Sequence, residues 1–100
     1  GKGVATSIGV LLGLSWPVGL AVIVTWLLVA AVFRFSSLAA LVAIGFSPVF
    51  AMLWGTPDMA ALALVISGFV WIKHRANIRR LFNGAEPKIG GAKKEKEAAA

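Results

Sequence analysis

The sequence predicts an all-α, polytopic integral membrane protein in which four membrane helices form part of a larger helical bundle. Two composition values indicate this class: 59% of the 100 residues are hydrophobic and only 14% are charged. Soluble domains average roughly 45–50% apolar and about 25% charged residues. A soluble domain of this length would also leave much apolar surface in water. The third observation is that four apolar stretches follow one another between short, turn-like separators.

The four predicted helices cover about residues 4–14, 17–33, 37–53 and 57–82. Richness in leucine and alanine, without polar alternation, favours helices over buried strands. Lipid also leaves only helices or closed barrels as spanning structures. In the first helix, Ala5, Gly9 and Gly13 recur every four residues, which is the spacing that permits close helix packing in membranes.

The fourth predicted helix has clear end signals. Thr56 is placed to cap it, Pro57 suits its first turn, and Asn83-Gly84 is typical of a C-terminal stop. A single helix over 57–82 would be about 39 Å long at ~1.5 Å per residue. Because the hydrocarbon core is only ~30 Å thick, its last turns are expected in the membrane interface.

The charges indicate how the helices cross. If they alternate, all ten Lys and Arg share one side, where three glutamates leave a net charge of +7. In the turns on the opposite side, the only charged residue is Asp58. The positive-inside rule makes the basic side cytoplasmic. Residues 84–100 are predicted to be a disordered, basic cytoplasmic tail with attraction to anionic lipid. The basic run lacks interleaved aromatics, so nucleic acid is not an expected partner.

Several chemistries are not expected. The chain has no cysteine and one histidine, so neither a thiolate nor a multi-histidine metal site is predicted. We expect no cofactor. The chain begins Gly1-Lys2-Gly3 without an initiator Met, and it is therefore expected to be a fragment of a longer protein.

Residues that could bind an anion occur near three predicted helix ends. Gly1-Lys2-Gly3 precedes a helix N-terminus, where free N–H groups and the helix dipole favour an anion. Gly3, followed by Val4, occurs directly after Lys2, where a Walker A loop would have Ser or Thr, so that motif is excluded. Arg34 and Ser37 lie between the second and third helices; taken alone, they indicate an interfacial anchor and a helix cap.

The end of the fourth helix adds a third group. Spacing of three places His74 and Asn77 on one face, whereas Arg75 and Arg79, four apart, share another. One pair can line a cleft while the other contacts lipid headgroups. The topology brings these residues together with Lys2, Arg34 and Ser37.

Such a cationic cluster suits a phosphorylated small molecule, and the apolar helices beside it could hold an acyl chain. No acidic residue is expected among the converging positions. We therefore predict neither a carboxylate pair for acid–base work nor a Mg²⁺ site.

Separate motifs resemble the C-terminal part of the bacterial acyl-phosphate:glycerol-3-phosphate acyltransferase family, the PlsY type. Residues 1–6 match its Gly-Lys-Gly-Val-Ala-Thr motif, and residues 34–38 are similar to its Arg-aromatic-x-Ser-Leu stretch. The most specific match is the late motif, His-Arg-x-Asn-Ile-x-Arg-Leu-x-x-Gly-x-Glu. It is matched by His74, Arg75, Asn77, Ile78, Arg79, Leu81, Gly84 and Glu86.

The resemblance implies a membrane enzyme of the bacterial cytoplasmic membrane that transfers a fatty acyl group from acyl phosphate to the 1-hydroxyl of glycerol 3-phosphate. The earlier helices of the family and a motif with a Ser and an Arg are missing here, so an N-terminal half is an implied partner. The expected catalytic residues are Lys2, Ser37 and His74. Expected substrate contacts are Gly1, Lys2, Gly3, Thr6, Arg34, Ser37, His74 and Asn77. Arg75, Arg79, Gly84 and Glu86 match motif positions to which the resemblance assigns no defined role.

Mechanistically, we expect the site to position and neutralise two phosphates. The donor's own phosphate would take the hydroxyl proton, with His74 as hydrogen-bond donor instead of obligatory base. Two alternatives remain at this point. A small transport element would place polar groups at mid-membrane, where only residues such as Thr25, Ser47 and Ser67 occur. A non-catalytic membrane subunit would not explain the separate motifs.

Overall fold

A computed structural model describes residues 3–89, and every regular element in that range is an α-helix, which confirms the predicted all-α class. The elements are α1 (Val4–Leu14), α2 (Trp16–Phe33), α3 (Ser36–Gly45), α4 (Ser47–Trp54), α5 (Pro57–Lys73) and α6 (Arg75–Phe82). The first two predicted helices correspond closely to α1 and α2.

Two stretches are long and apolar enough to cross a membrane, namely Trp16–Phe33 and Ser36–Trp54, and the bent pair α5–α6 would be a third. Residues 3–89 therefore contain two candidate membrane spans, or three with the bent pair, instead of the predicted four. Helix α1 has 11 residues, which is about 16 Å of helix and too short for the ~30 Å hydrocarbon core.

The predicted helix over 37–53 is divided at Phe46 into α3 and α4. Pro48 lies in the first turn of α4, and proline has no N–H to donate to the carbonyl four residues before it. That carbonyl belongs to Ile44, and it accepts instead from the buried Ser47 hydroxyl at 2.6 Å. The hydroxyl thus replaces the bond that proline removes.

The prediction of one long helix over 57–82 is wrong. Helix α5 begins as expected, with Thr56 Oγ1 accepting from the Met59 N–H at 3.2 Å. However, the chain bends by 63° between α5 and α6. His74 occupies the break and has a non-helical backbone, with φ −98° and ψ 13°.

The predicted stop at Asn83-Gly84 is confirmed as the end of α6. Gly84 has a φ of +68°, in the left-handed region that glycine tolerates best. The Gly84 N–H donates to Leu81 at 3.3 Å and the Ala85 N–H to Arg80 at 2.8 Å. This pair of bonds defines a Schellman motif.

The helices pack around a small apolar core to which all of α1 to α5 contribute. Its buried members are Leu11, Val18, Val22, Ala43, Ile44, Ala51, Ala63 and Val70. The indole Nε1 of Trp71 donates to the Leu41 carbonyl at 3.2 Å and ties α5 to α3. Gly45 permits that approach, because a Cβ there would lie 3.2 Å from the same Nε1.

The small-residue stripe of α1 does not make the predicted close packing within residues 3–89. Gly9 and Gly13 are both exposed, and an added Cβ at either would have nothing within 4 Å.

The bundle has two ends, as alternation of the helices predicts. At one end, Ser15 Oγ lies 3.5 Å from the Trp54 carbonyl oxygen, joining the α1–α2 and α4–α5 turns. The other end contains the α2–α3 turn with Arg34 and the α5–α6 junction with its cluster of basic residues. We call this the basic end.

Residues 84–89, here called the C-terminal strap, return across the basic end. The Ile89 N–H donates to the Arg34 carbonyl at 2.6 Å, and Arg34 Nη2 donates to the Ile89 carbonyl at 2.9 Å. Lys88 Nζ also lies 5.7 Å from the centroid of the Phe35 ring. The first part of the predicted disordered tail, 84–89, thus contacts the helices, while its remainder, 90–100, lies outside the described range.

Candidate functional site

A pocket of about 490 Å³ opens at the basic end. Helices α1, α2 and α3, the α5–α6 junction and the C-terminal strap all contribute to its wall. Its polar lining residues are Ser36, Ser37, His74, Asn77 and Glu86, and its apolar ones are Val4, Ala5, Ile8, Trp26, Ala40 and Pro87. The pocket therefore has a polar part and an apolar part.

Ser37 places a buried hydroxyl at the wall of the pocket. The residue is only 9% exposed, and its Oγ has no hydrogen-bond partner among residues 3–89. The expected cap is absent, since α3 begins at Ser36 and no side chain caps it. Burying an unsatisfied polar group costs about 1–3 kcal/mol, so this hydroxyl is an unfavourable feature that a ligand would correct.

The same position is the N-terminus of α3. The first N–H groups of a helix have no partner within the helix, and the helix dipole there favours negative charge. Ser36 and Ser37, the first two residues of α3, both line the pocket. Hydroxyl and backbone together form a site suited to a small anion.

His74 is the most buried polar side chain of the pocket, at 5% exposed. Its Nδ1 lies 2.8 Å from the Val70 carbonyl oxygen. Because a carbonyl only accepts, Nδ1 must carry the proton of that bond, which leaves Nε2 as the ring nitrogen available to the pocket. The Val70 oxygen also accepts from the His74 backbone N–H at 3.0 Å. The same carbonyl oxygen therefore positions both the imidazole ring and the backbone of His74 at the end of α5.

Asn77 and Glu86 form the third part of the polar wall. Asn77 Nδ2 donates to Glu86 Oε1 at 3.3 Å. Arg80 Nε lies 3.4 Å from Glu86 Oε2, with side-chain exposures of 43% for Arg80 and 8% for Glu86. That contact is an ion pair without hydrogen-bond geometry, since Oε2 has no hydrogen-bond partner in the part of the chain that the structure describes.

The buried carboxylate overturns the expectation that no acidic residue joins the site. By position in the sequence, Glu86 belongs both to the late motif and to the stretch predicted to be a disordered tail. Two adjacent features could have indicated its place: the helix stop at Gly84 and the motif spacing that follows it. Within residues 3–89, no group of three potential metal-ligating side chains accompanies this carboxylate.

Other predicted site residues lie elsewhere. Arg34 does not line the pocket, and its guanidinium donates to the C-terminal strap at Ile89. Thr6 is exposed on α1. Gly3 is the N-cap of α1, and its carbonyl accepts from Ser7 Oγ at 2.6 Å. Gly1 and Lys2 lie outside the described residues.

The late-motif residues divide as their spacing predicts. His74 and Asn77 line the pocket, whereas Arg75 and Arg79 are exposed. The apolar wall residues Ile8, Trp26 and Ala40 were not predicted, because they come from three different helices and share no sequence pattern.

The fold and the pocket define a helical membrane protein whose pocket combines polar side chains at helix ends with an apolar wall. A family model described as glycerol-3-phosphate acyltransferase matches residues 1–84. The chain belongs to that family.

Relatives agree with this assignment. The chain is 54% identical to a glycerol-3-phosphate acyltransferase of Rhodospirillum rubrum over 94% of the chain and 44% of the relative. It is also 54% identical to one of Maricaulis maris, over 98% and 45%, and 50% identical to one of Methylococcus capsulatus, over 90% and 46%. The chain thus spans less than half the length of these curated relatives. No solved structure matches it.

Proposed function

We propose that this chain contributes the phosphate-binding part of an active site that transfers a fatty acyl group from acyl phosphate to the 1-hydroxyl of glycerol 3-phosphate. The observation that carries the proposal is the buried, unpartnered Ser37 hydroxyl, which shares one pocket with His74 and Asn77. Family membership and the relatives' names support the acyltransferase activity and its acceptor. The motif resemblance supports acyl phosphate as donor.

The pocket's polar part binds the phosphate of glycerol 3-phosphate. Ser37 Oγ and the first backbone N–H groups of α3 donate to phosphate oxygens. Lys2 adds a positive charge in this proposal, from the matched motif just before α1. Binding satisfies the Ser37 hydroxyl and holds the 1-hydroxyl close to the donor's carbonyl carbon.

The reaction conserves atoms and charge without an external reagent. The 1-hydroxyl oxygen forms an ester bond to the acyl carbon, and the bond from that carbon to the donor's phosphate oxygen breaks. The hydroxyl proton goes to the departing phosphate, so the products are lysophosphatidic acid and inorganic phosphate.

His74 stabilises the phosphate that departs. With Nδ1 committed to Val70, Nε2 donates only when the ring is doubly protonated. To donate to an ionised phosphate oxygen through Nε2, the ring must therefore carry both of its protons. Asn77, held by Glu86, lies next to His74 in the pocket wall.

The apolar part of the pocket accommodates the beginning of the acyl chain. Val4 and Ile8 of α1 and Trp26 of α2 line it. Trp26 lies seven residues before the end of α2, about 10 Å along the helix. The pocket thus extends from the polar helix ends toward the hydrocarbon region.

We also propose an orientation in the membrane and an upstream partner segment. The basic end would face the cytoplasm in a bacterial cytoplasmic membrane, because Lys and Arg concentrate on that side of membrane proteins. An upstream segment of the same protein would complete the site and the bundle, since the relatives are more than twice as long as the matched region.

Phosphate release tests this function. Membranes containing the chain joined to its natural upstream sequence are given palmitoyl phosphate and glycerol 3-phosphate. We expect phosphate release and lysophosphatidic acid, each dependent on glycerol 3-phosphate. Membranes without the protein control for spontaneous hydrolysis. Activity with palmitoyl coenzyme A but none with palmitoyl phosphate would contradict the proposed donor.

A further inference from the structure

Helix α6 has a second face that the pocket does not use. At 3.6 residues per turn, Arg75, Arg79 and Phe82 fall within about 60° of one another around the helix, and Asn77 lies on the opposite side. Asn77 lines the pocket. The face formed by Arg75, Arg79 and Phe82, here called the outer face of α6, therefore points away from the pocket.

The outer face combines positive charge with an exposed aromatic ring. Arg75 and Arg79 are both exposed, and Phe82 is 87% exposed. Within residues 3–89 the ion pair is between Arg80 and Glu86, so no carboxylate in that range neutralises the two outer arginines. Arg75 Nη1 donates to the Ile72 carbonyl at 3.2 Å, which holds its guanidinium at the start of the helix.

The bend turns this face out of the direction of the candidate span, because α6 departs by 63° from α5. The end of α5 exposes Phe69 (63%) and Ile72 (61%). An exposed apolar surface thus continues up to the junction where α6 begins.

We propose that the outer face of α6 binds the phosphates of anionic phospholipids in the adjacent leaflet. The guanidinium groups of Arg75 and Arg79 donate to headgroup phosphates in a planar fork that suits them. The Phe82 ring inserts at the boundary between headgroups and acyl chains, as aromatic residues of interfacial helices do. This surface is separate from the acyltransferase pocket, and the proposal does not depend on that reaction.

Charge and surroundings favour lipid over a protein partner. Two unneutralised arginines four residues apart match a surface of repeated phosphates. The exposed ring beside them would be costly in water but is stabilised at the boundary of a bilayer. Helix α6 directly continues a candidate span, so it begins where the apolar part of that span ends.

Quenching of a label on α6 tests the proposal. The chain contains no cysteine, so Ala76→Cys gives it one labelling site for a fluorophore beside the outer face. The full protein, cysteine-free elsewhere, is reconstituted in phosphatidylcholine nanodiscs that contain either brominated phosphatidylglycerol or brominated phosphatidylcholine. The ratio of quenching by these two lipids measures local preference for the anionic headgroup.

We expect a clear preference for phosphatidylglycerol that falls by about fivefold for each arginine changed to Gln, the equivalent of about 1 kcal/mol per charge. Arg75→Lys with Arg79→Lys should keep most of it. The matched control is a label at Leu53, which is 65% exposed on α4 near the other end; it should show no preference.

Three outcomes would overturn the proposal. Equal quenching by both lipids at Ala76→Cys would remove the headgroup specificity. Absence of quenching by either lipid would show that another protein segment covers this face. A preference unchanged in the double Gln variant would assign it to other residues. Circular dichroism of each variant separates these results from misfolding.

Discussion

Asn77 of α6 and Glu86 of the C-terminal strap are joined by a hydrogen bond of 3.3 Å from Nδ2 to Oε1. The two residues are nine positions apart in the chain, and both line the pocket. The bond makes the strap part of the site's wall. It also orients the Asn77 amide, because its NH₂ group faces a carboxylate that only accepts.

Substitutions at Glu86 should show how much the hydrogen bond to Asn77 contributes to activity. Glu86→Ala removes the acceptor of Asn77, and we expect kcat/KM for glycerol 3-phosphate to fall by about 10- to 100-fold, the range for a hydrogen bond to a charged group. Glu86→Gln keeps a carbonyl acceptor and should lie between Ala and wild type. Steady-state kinetics in reconstituted membranes provide the measurement.

Arg80→Gln is the matched control for that series. It removes only the ion pair to Glu86. Because the Glu86 carboxylate is only 8% exposed, we expect this change to lower stability while reducing kcat/KM less than Glu86→Ala does. A loss in Arg80→Gln as large as that in Glu86→Ala would show that the charge pair, not the bond to Asn77, organises the wall.

Gly84 sets the direction of the C-terminal strap. Its φ of +68° costs a residue with a Cβ about 1–2 kcal/mol. We therefore expect Gly84→Ala to lower the free energy of unfolding by that amount, measured by denaturant titration in detergent. Gly68→Ala, within helix α5 where an added Cβ has nothing within 4 Å, should instead leave stability unchanged or slightly higher. Equal effects at the two positions would refute this role of Gly84.

The pH profile of the enzyme should reveal the protonation state in which His74 acts. If Nε2 donates to phosphate as part of a cationic ring, loss of the ring's second proton at rising pH lowers activity. A general base requires the opposite slope. His74→Gln should remove that limb of the kcat profile and lower kcat more than substrate affinity. A rising limb that disappears in His74→Gln would identify a base and contradict the proposed role.

The Arg34 side chain should hold the end of the C-terminal strap. Arg34 has a φ of 60°, uncommon for a residue with a side chain, and its guanidinium donates to the Ile89 carbonyl at 2.9 Å. We expect Arg34→Ala to speed amide hydrogen exchange over residues 86–89 by several-fold. Lys88→Ala, which removes only the exposed contact with Phe35, should have a smaller effect. Unchanged exchange in Arg34→Ala would show that the backbone bond suffices.

Much of this architecture could be predicted from the sequence because its signals are local. Thr56 and Pro57 begin α5, and Asn83-Gly84 ends α6, each as expected. Charge placement and alternation predicted that Ser37, His74 and Asn77 would converge, and they share one pocket.

The differences arise from contacts that composition does not encode. At the bend, the His74 ring is hydrogen-bonded to the Val70 carbonyl. A hydropathy pattern does not predict such a bond between a side chain and the backbone of its own helix. Glu86 enters the pocket because Gly84 reverses the chain and Ile89 bonds to Arg34. A hydrophilic stretch after the last helix otherwise predicts only a solvated tail.

We propose that the Ser37 hydroxyl binds a substrate phosphate. Calorimetric titration of glycerol 3-phosphate into the purified protein tests this directly. Ser47→Ala is the control, because that buried hydroxyl already donates to Ile44 at 2.6 Å; it should lose stability and keep its affinity. For Ser37→Ala we predict an affinity about tenfold lower, with stability unchanged or higher. Unaltered affinity in Ser37→Ala, with a loss of stability like that of Ser47→Ala, would contradict the claim.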